Sequence, residues 1–468
     1  MAPTQSAGAQ QPSAGPSTSA PIRALTGWVL VDWALQPYYT LVLTFLFAPY
    51  FTTAVASDPV HGQALWGYAA AAAGILIAIG SPLLGAMADG RGRRKPWVAL
   101  FALIVAGGLT ALWWAKPGAE TTTVFLILAA FVAATAAAEF ATVFSNAIMP
   151  SLVPPSRLGR LSGIGWATGY AGGLLSLVLV AGLLVGNPAT GKTLLGLDPL
   201  LTLDLEQREG DRLVGPFAAL WLLVFIIPFF LFVPDKPAVR TEHRESPLTE
   251  LMATLRGLTK QRDMLTFLIA RALYTDGLSA IFVFGGIYGT AVFGWQAFER
   301  GIFGIILITL GIAGAILGGL FDDRIGAKKV IIGALVLLMI GALGILSVDT
   351  NHVLFTLPIT AKEAGSAPFS STGELVFLAF AVLVALAAAP NQAASRSLLA
   401  RLAPPDRMTQ YFGLFAFSGK VTAFLAPLAV AAVTTATGSQ RAGMASILFF
   451  LLAGIVLMIP VRERQAPA

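Results

Sequence analysis

The stretch GAMADGRGRRK, Gly85 to Lys95, recurs 234 positions later as GLFDDRIGAKK, Gly319 to Lys329. Each copy holds a glycine, an acid four residues on, a second glycine and then basic residues, and each stands at the end of a long apolar stretch. A second pair, PPSR at Pro154 to Arg157 and PPDR at Pro404 to Arg407, repeats at an offset of 250. Near-constant offsets at matching places mean that one block of apolar segments occurs twice. In each loop two glycines permit a tight reversal, the acid suits the positive end of a helix, and the basic run belongs at cytoplasmic headgroups.

Composition fixes what those segments are. Apolar residues make up 56% of the 468 and charged ones 12%, with a mean hydropathy of +0.78. Soluble domains hold about 45–50% and about 25% respectively, so a water-soluble fold, a disordered chain and a disulfide scaffold are all excluded. With no cysteine and only His61, His243 and His352, each alone in a polar stretch, thiolate chemistry, iron–sulfur clusters and clustered His metal sites drop out too. No cofactor is expected.

From Trp28 onward, apolar stretches recur at about 20 residues, the length that crosses about 30 Å of hydrocarbon. Twelve spans are predicted, over 28–53, 65–88, 97–115, 122–148, 160–185, 215–234, 264–292, 301–320, 329–348, 373–395, 410–434 and 443–461. Residues 1–22 have no charged side chain and read as a disordered tail, not a secretory signal. With both termini in the cytoplasm, 21 of the 30 Lys and Arg, Arg396 and Arg401 among them, fall on that side. The net charge of +6 is therefore a topology signal, and nucleic acid is not an expected partner.

The chain thus divides into a tail (1–22), a six-helix bundle (23–235), a cytoplasmic linker (236–262), a second six-helix bundle (263–461) and a tail (462–468). In the linker Leu248, Leu251, Met252, Leu255 and Leu258 fall at helical spacing behind Ser246–Pro247, which predicts an amphipathic helix on the membrane surface.

The loop signature in a six-plus-six chain resembles that of the major facilitator superfamily, from about residue 25 to 461. The second copy has the full pattern; in the first, Gly90 replaces the usual Arg after Asp89. More narrowly, VDWALQPYYTLVLTFLFAPYF (Val31 to Phe51), GQALWGYA (Gly62 to Ala69) and GRRKPW (Gly92 to Trp97) resemble the bacterial branch similar to the vacuolar amino-acid effluxers of autophagy. The resemblance implies an all-α membrane fold of two six-helix bundles. It also implies a gating role for Gly85, Asp89, Gly92, Arg93 and Arg94 in the first loop and for Gly319, Asp323, Arg324, Gly326 and Lys328 in the second. For the basic residues, setting topology alone is the other reading.

GNPATGKT, Gly186 to Thr193, fits the phosphate-binding pattern G-x-x-x-x-G-K-[ST]. A phosphate loop needs a strand before it and a helix after it; here a long span precedes, Pro199 breaks the segment behind it, and the loop lies outside the cell. Nucleotide binding is not expected.

Ionisable residues inside spans cost about 2.5–3.5 kcal/mol each on insertion scales and so face a cavity or a partner. At 1.5 Å per residue, Asp32 and Arg271 lie about 6 and 10 Å from the cytoplasmic ends of their spans, Glu139, Lys420 and Asp276 about 13, 15 and 18 Å. These five are the candidates for a solute or proton path, against the alternative of buried ion pairs that fix packing. Asp276 is expected near Lys420 or Arg271, Lys420 to support the wall or pair with Asp276, and Glu374 to sit at the outer surface. Trp33, Tyr38, Tyr39 and Tyr274 are candidate aromatic walls, and Asn146, Asn391 and Gln392 candidate polar lining. The functional expectation is a secondary active transporter, not an enzyme, in a bacterial inner membrane, with a small polar solute of amino-acid type and a proton as coupling ion. A multidrug efflux carrier is the alternative within the fold, and a non-transporting receptor or a channel the alternative outside it.

Overall fold

A computed structural model describes residues 16–56, 58–187, 190–235, 246–295, 297–363 and 366–463. Among them, eleven helices are long and apolar enough to cross a membrane: Ile22–Val55, Pro59–Gly90, Lys95–Trp114, Thr121–Ser151, Pro155–Leu184, Glu209–Phe232, Arg262–Phe293, Glu299–Ile325, Ala327–Leu346, Thr372–Leu402 and Gln440–Met458. They are spans 1 to 10 and span 12. Span 11 is present in two pieces, Met408–Ser418 and Leu425–Thr437. The linker helix runs over Pro247–Leu258, with the Ser246 hydroxyl accepting from the Thr249 N–H.

Local chemistry sets the ends. Span 2 starts on Asp58, whose carboxylate accepts from His61 N–H with Pro59 at the first helical position. Span 10 starts on a reciprocal capping box between Ser371 and Glu374. In the two repeated loops the same glycine, Gly92 and Gly326, takes a positive φ of 84° and 93° that a side chain would oppose.

Inside span 1, Pro37 has no N–H for the Trp33 carbonyl, which instead accepts from Trp221 Nε1 at 3.1 Å. The helix widens into π-type turns over Tyr38–Phe45 directly after it.

The structure corrects four expectations. Residues 1–15 of the expected tail lie outside the described residues, and its end is ordered: Ala20 N–H donates to the Leu152 carbonyl at 2.7 Å and span 1 begins at Ile22. Span 10 continues to Leu402, which carries Arg396 and Arg401 off the surface into the bundle. Glu374 is wholly buried, bonded to Lys362 at 2.7 Å and Trp295 Nε1 at 2.8 Å.

Span 11, fourthly, is not continuous. Gly419 to Phe424 leave the regular helix, and Pro427 offers no N–H to the Ala423 carbonyl. Irregular backbone at such depth persists where other groups satisfy it. Here Arg271 of span 7 donates to the Phe415 carbonyl at 2.5 Å and to Ser418 Oγ at 2.8 Å, and Thr422 Oγ1 donates to the Ala272 carbonyl at 3.2 Å.

The two halves meet through glycines. A Cβ on Gly163 of span 5 would lie 2.5 Å from the Ala315 carbonyl oxygen of span 8, and one on Gly85 of span 2 would lie 2.6 Å from the Thr409 carbonyl oxygen of span 11. Both contacts lie on the side of the repeated loops, hereafter the loop face. Away from it Gly67 and Gly74 of span 2 and Gly285 and Gly286 of span 7 have open space where a Cβ would be, while the Phe45 ring of span 1 stands 3.1 Å from a Cβ on Gly304 of span 8.

Candidate functional site: a central cavity closed at the loop face

Between the halves lies a cavity of about 890 Å³. Its floor is Arg396, 3% exposed. One guanidinium nitrogen, Nη1, reaches Asp32 at 2.9 Å and Asn146 Oδ1 at 3.1 Å, while Nε and Nη2 reach Ser162 Oγ at 2.8 Å and the Ser162 carbonyl at 2.6 Å. Its plane also sits over the Trp28 ring at 4.9 Å. The ligands come from spans 1, 4 and 5 and the arginine from span 10, so this cluster ties one half to the other.

Above the floor the cavity is lined by Asp32, Glu139, Arg271 and Lys420, by Asn146, Asn391 and Gln392, and by Tyr39 and Tyr274. Asp32 is committed to Arg396, and Arg271 to the broken end of span 11. Glu139 and Lys420 make no hydrogen bond or ion pair among the described residues, though the Arg271 charge acts on Glu139. Trp166 Nε1 and Asn391 Nδ2 are also buried in the lining without a partner.

Four of the five charges singled out from sequence therefore meet in one cavity. Asp276 does not: it is 1% exposed, is not part of the lining, and pairs with neither Lys420 nor Arg271. Depth along a helix fixes height but not direction, and the cavity takes Thr275 instead. Two of the aromatic candidates also turn away, Trp33 to stack on Trp221 at 5.5 Å and Tyr38 to bond Thr135 at 2.6 Å.

Arg396 was masked by its place near a span end, where a basic residue reads as topology. The repeat offset of 250 carries a signal, because it maps Arg396 onto Asn146, the residue it touches.

The repeated loops close the halves against each other. Asp89 accepts from Thr409 N–H at 3.1 Å and Gln410 N–H at 2.8 Å, the first turn of span 11, and holds Arg94 at 3.1 Å; Arg94 Nε in turn donates to Thr409 Oγ1 at 2.7 Å. A carboxylate on a helix N-terminus is favoured by free N–H groups and the dipole together.

In the second copy Asp323 meets the backbone N–H groups of Gly159 and Arg160 at the start of span 5. Its neighbour Asp322, 2% exposed, binds Ser397 and Arg401, and Arg401 also binds Glu463 at 2.7 Å. Gly85 and Gly319 provide the close approach. Arg93 and Arg324 are exposed and make no bond among the described residues, whereas Lys328 Nζ donates to the Ile459 carbonyl at 2.6 Å.

Each half carries one further clasp absent from the signature. Asp235, after span 6, accepts from the backbone of Arg94 and Lys95, and Glu463, after span 12, from that of Ala327 and Lys328. Asp89→Asn removes the charge from the span 11 contact and is expected to weaken the closed loop face about tenfold, since hydrogen bonds to charged groups contribute about 1.5–3 kcal/mol. Distance distributions between spin labels on spans 2 and 11 measure it.

The phosphate-loop pattern has no such geometry. Pro188 and Ala189 lie outside the described residues; Lys192 pairs with Asp198 at 2.6 Å, and the segment after it forms turns instead of a helix.

Residues 53–467 match the family model described as "Vacuole effluxer Atg22 like". The chain is 24% identical over 448 residues to the uncharacterized MFS-type transporter YxiO of Bacillus subtilis, covering 94% of this chain and 95% of that protein. It is 25% identical over 316 residues to autophagy-related protein 22 of Cryptococcus neoformans, covering 66% of this chain but only 52% of the fungal protein. In fold it superposes on the E. coli fucose:proton symporter FucP with a TM-score of 0.68 and 15% identity, over 94% of this chain and 98% of that one. A twelve-span fold in two halves, loop signatures that clasp them, and a match over most of the length converge on one assignment: the chain belongs to the Atg22-like family and is a transporter of the major facilitator type.

Proposed function

We propose that this carrier moves a small zwitterion of amino-acid type by alternating access, with the loop face in the cytoplasm of a bacterial inner membrane and with proton coupling. The observation that carries the solute class is the set of groups left without partners. Glu139 from the first half and Lys420 from the second are of opposite sign, and Trp166 Nε1 and Asn391 Nδ2 are two further unsatisfied donors in the same lining. The two charges are half-buried at the cavity wall, open to water or to a ligand, and the two donors are buried without a partner. An ammonium on Glu139 and a carboxylate on Lys420 and the orphan donors completes both. A sugar leaves the two charges unmet, and a lipophilic cation meets Lys420 and Arg271 with the wrong sign.

The cavity is closed at the loop face by the two clasps and narrowed on the opposite side where Phe45 meets Gly304. The functional units are then the bundles 23–235 and 263–461, joined by the linker 236–262.

In proteoliposomes, counterflow of an amino acid is compared with that of its amide and its N-acetyl derivative. Lys420→Gln is expected to weaken the amino acid at least about thirtyfold and the amide much less, because truncating one member of a buried charge pair costs about 2–5 kcal/mol. Glu139→Gln is expected to spare the N-acetyl derivative in the same way. Equal losses for all three solutes contradict the assignment. Saturation and counterflow in the same assay separate a carrier from a channel or receptor.

Orientation is tested with a reporter active only in the periplasm. Fused at Gln207 it is expected to be active, and at Ser246 silent; the reverse pattern inverts the proposed topology.

A further inference from the structure

Behind the cavity, on the far side of the break in span 11, lies a second polar feature that solute binding does not use. Asp276 of span 7 is 1% exposed, and its Oδ2 has no hydrogen-bond partner. Beside it is the Thr422 hydroxyl, shared with the Ala272 carbonyl. Next to it Gly277 packs on Phe450 and Leu451 of span 12.

Among the described residues no cation pairs with this carboxyl. The covering helices, Leu425–Thr437 and Ile447–Met458, contain no titratable residue. Of the charged groups on the other packed elements, Arg271 is spent on span 11, Arg396 on Asp32, Arg401 on Asp322, and Glu374 on Lys362, while Lys420 lines the cavity. A bare carboxylate in such surroundings is an uncompensated buried charge. It must carry something positive.

We propose that Asp276, Thr422 and the Ala272 carbonyl form a binding site for a monovalent cation, a proton or a sodium ion, separate from the solute cavity. The break places the Thr422 hydroxyl between the Ala272 carbonyl and Asp276, so that oxygens of spans 7 and 11 stand together. It also supplies the coupling. Lys420, the cavity cation, and Thr422, the partner of Asp276, belong to one six-residue segment, so solute on one side and cation on the other bias the same element. The coupling half of this inference rests on the solute reading above; the cation site itself does not.

The full-length protein in sodium-free proteoliposomes is followed by infrared difference spectroscopy. A protonated-carboxyl C=O band is expected in the wild type, absent in Asp276→Asn and shifted in Thr422→Val. Loss of that band on adding sodium chloride, at constant pH, makes sodium the occupant and still supports the site. Absence of any difference between wild type and Asp276→Asn, in the band and in thermal stabilisation by sodium chloride, overturns it.

In transport, one unit of pH gradient, or a tenfold sodium gradient, sustains about tenfold accumulation at one cation per solute. Asp276→Asn is expected to reduce that to no accumulation while exchange continues, and Asp276→Glu to recover part of it. Unchanged accumulation in Asp276→Asn refutes coupling through this site. Absence of counterflow for every zwitterion in the wild type refutes the solute reading instead, and the infrared result then decides the cation site alone.

Discussion

Arg396→Gln is expected to open the loop face and stop transport. The substitution leaves Asp32 without its cation and Ser162 and Asn146 without their donor, all between the two halves. Removing one partner of a buried ion pair costs about 3–5 kcal/mol, which shifts the ratio of closed to open states by a hundredfold or more. Since the chain has no cysteine, a thiol introduced at Thr142 in the cavity wall is the sole reporter. In Arg396→Gln it is expected to react with an impermeant maleimide from the loop side, where the parent does not. Adding Asp32→Asn removes the stranded carboxylate and is expected to restore much of the closed state but little transport, because the floor has lost its specific bonds. No rescue would mean that Arg396 acts on solute alone.

Gly163→Leu is expected to produce the same open loop face from the opposite cause. Its Cβ would stand 2.5 Å from the Ala315 carbonyl oxygen and 2.9 Å from Gly319 Cα, both backbone atoms that cannot swing aside. Spans 5 and 8 then cannot close. Uptake is expected to fall more than tenfold with the protein still inserted, since the strain is confined to one state of the cycle. Gly74→Leu, with open space at its Cβ, is the control and is expected to transport normally.

The architecture was legible because hydrocarbon thickness imposes its period on the chain and a duplicated block repeats its own loops. Both signals survive in sequence without any partner being known. Asp32, Glu139 and Arg271 were legible as path candidates for a related reason, since a charge at depth must face water or a partner, whereas Lys420 read as wall support or as the partner of Asp276.

What failed was direction and satisfaction. Asp276 is one residue from the cavity-lining Thr275, a rotation of about 100° on a helix, and hydropathy carries no azimuth. The break in span 11 carries Gly419, Lys420 and Thr422 ahead of Pro427, yet a window of about 20 residues averages them away, and the hydrogen-bond ladder, completed from span 7 by Arg271, reveals it. Asp322 was overshadowed by Asp323, which holds the signature position. Yet Asp322 is the more deeply buried of the two and carries the ion pair with Arg401.

The two clasps at the loop face differ in their access to water. Arg94 and Asp89, in the clasp on span 11, show 20% and 6% of their side chains to solvent, whereas Arg160 of span 5, 3.9 Å from Asp323, shows 57% against 11% for its partner. Mobile ions weaken exposed pairs and leave buried ones largely untouched. Ionic strength at the loop face therefore acts on the contact between spans 5 and 8 before it reaches the one between spans 2 and 11. The carrier is expected to open like a door, with the contact between spans 5 and 8 as its latch and the one between spans 2 and 11 as its hinge.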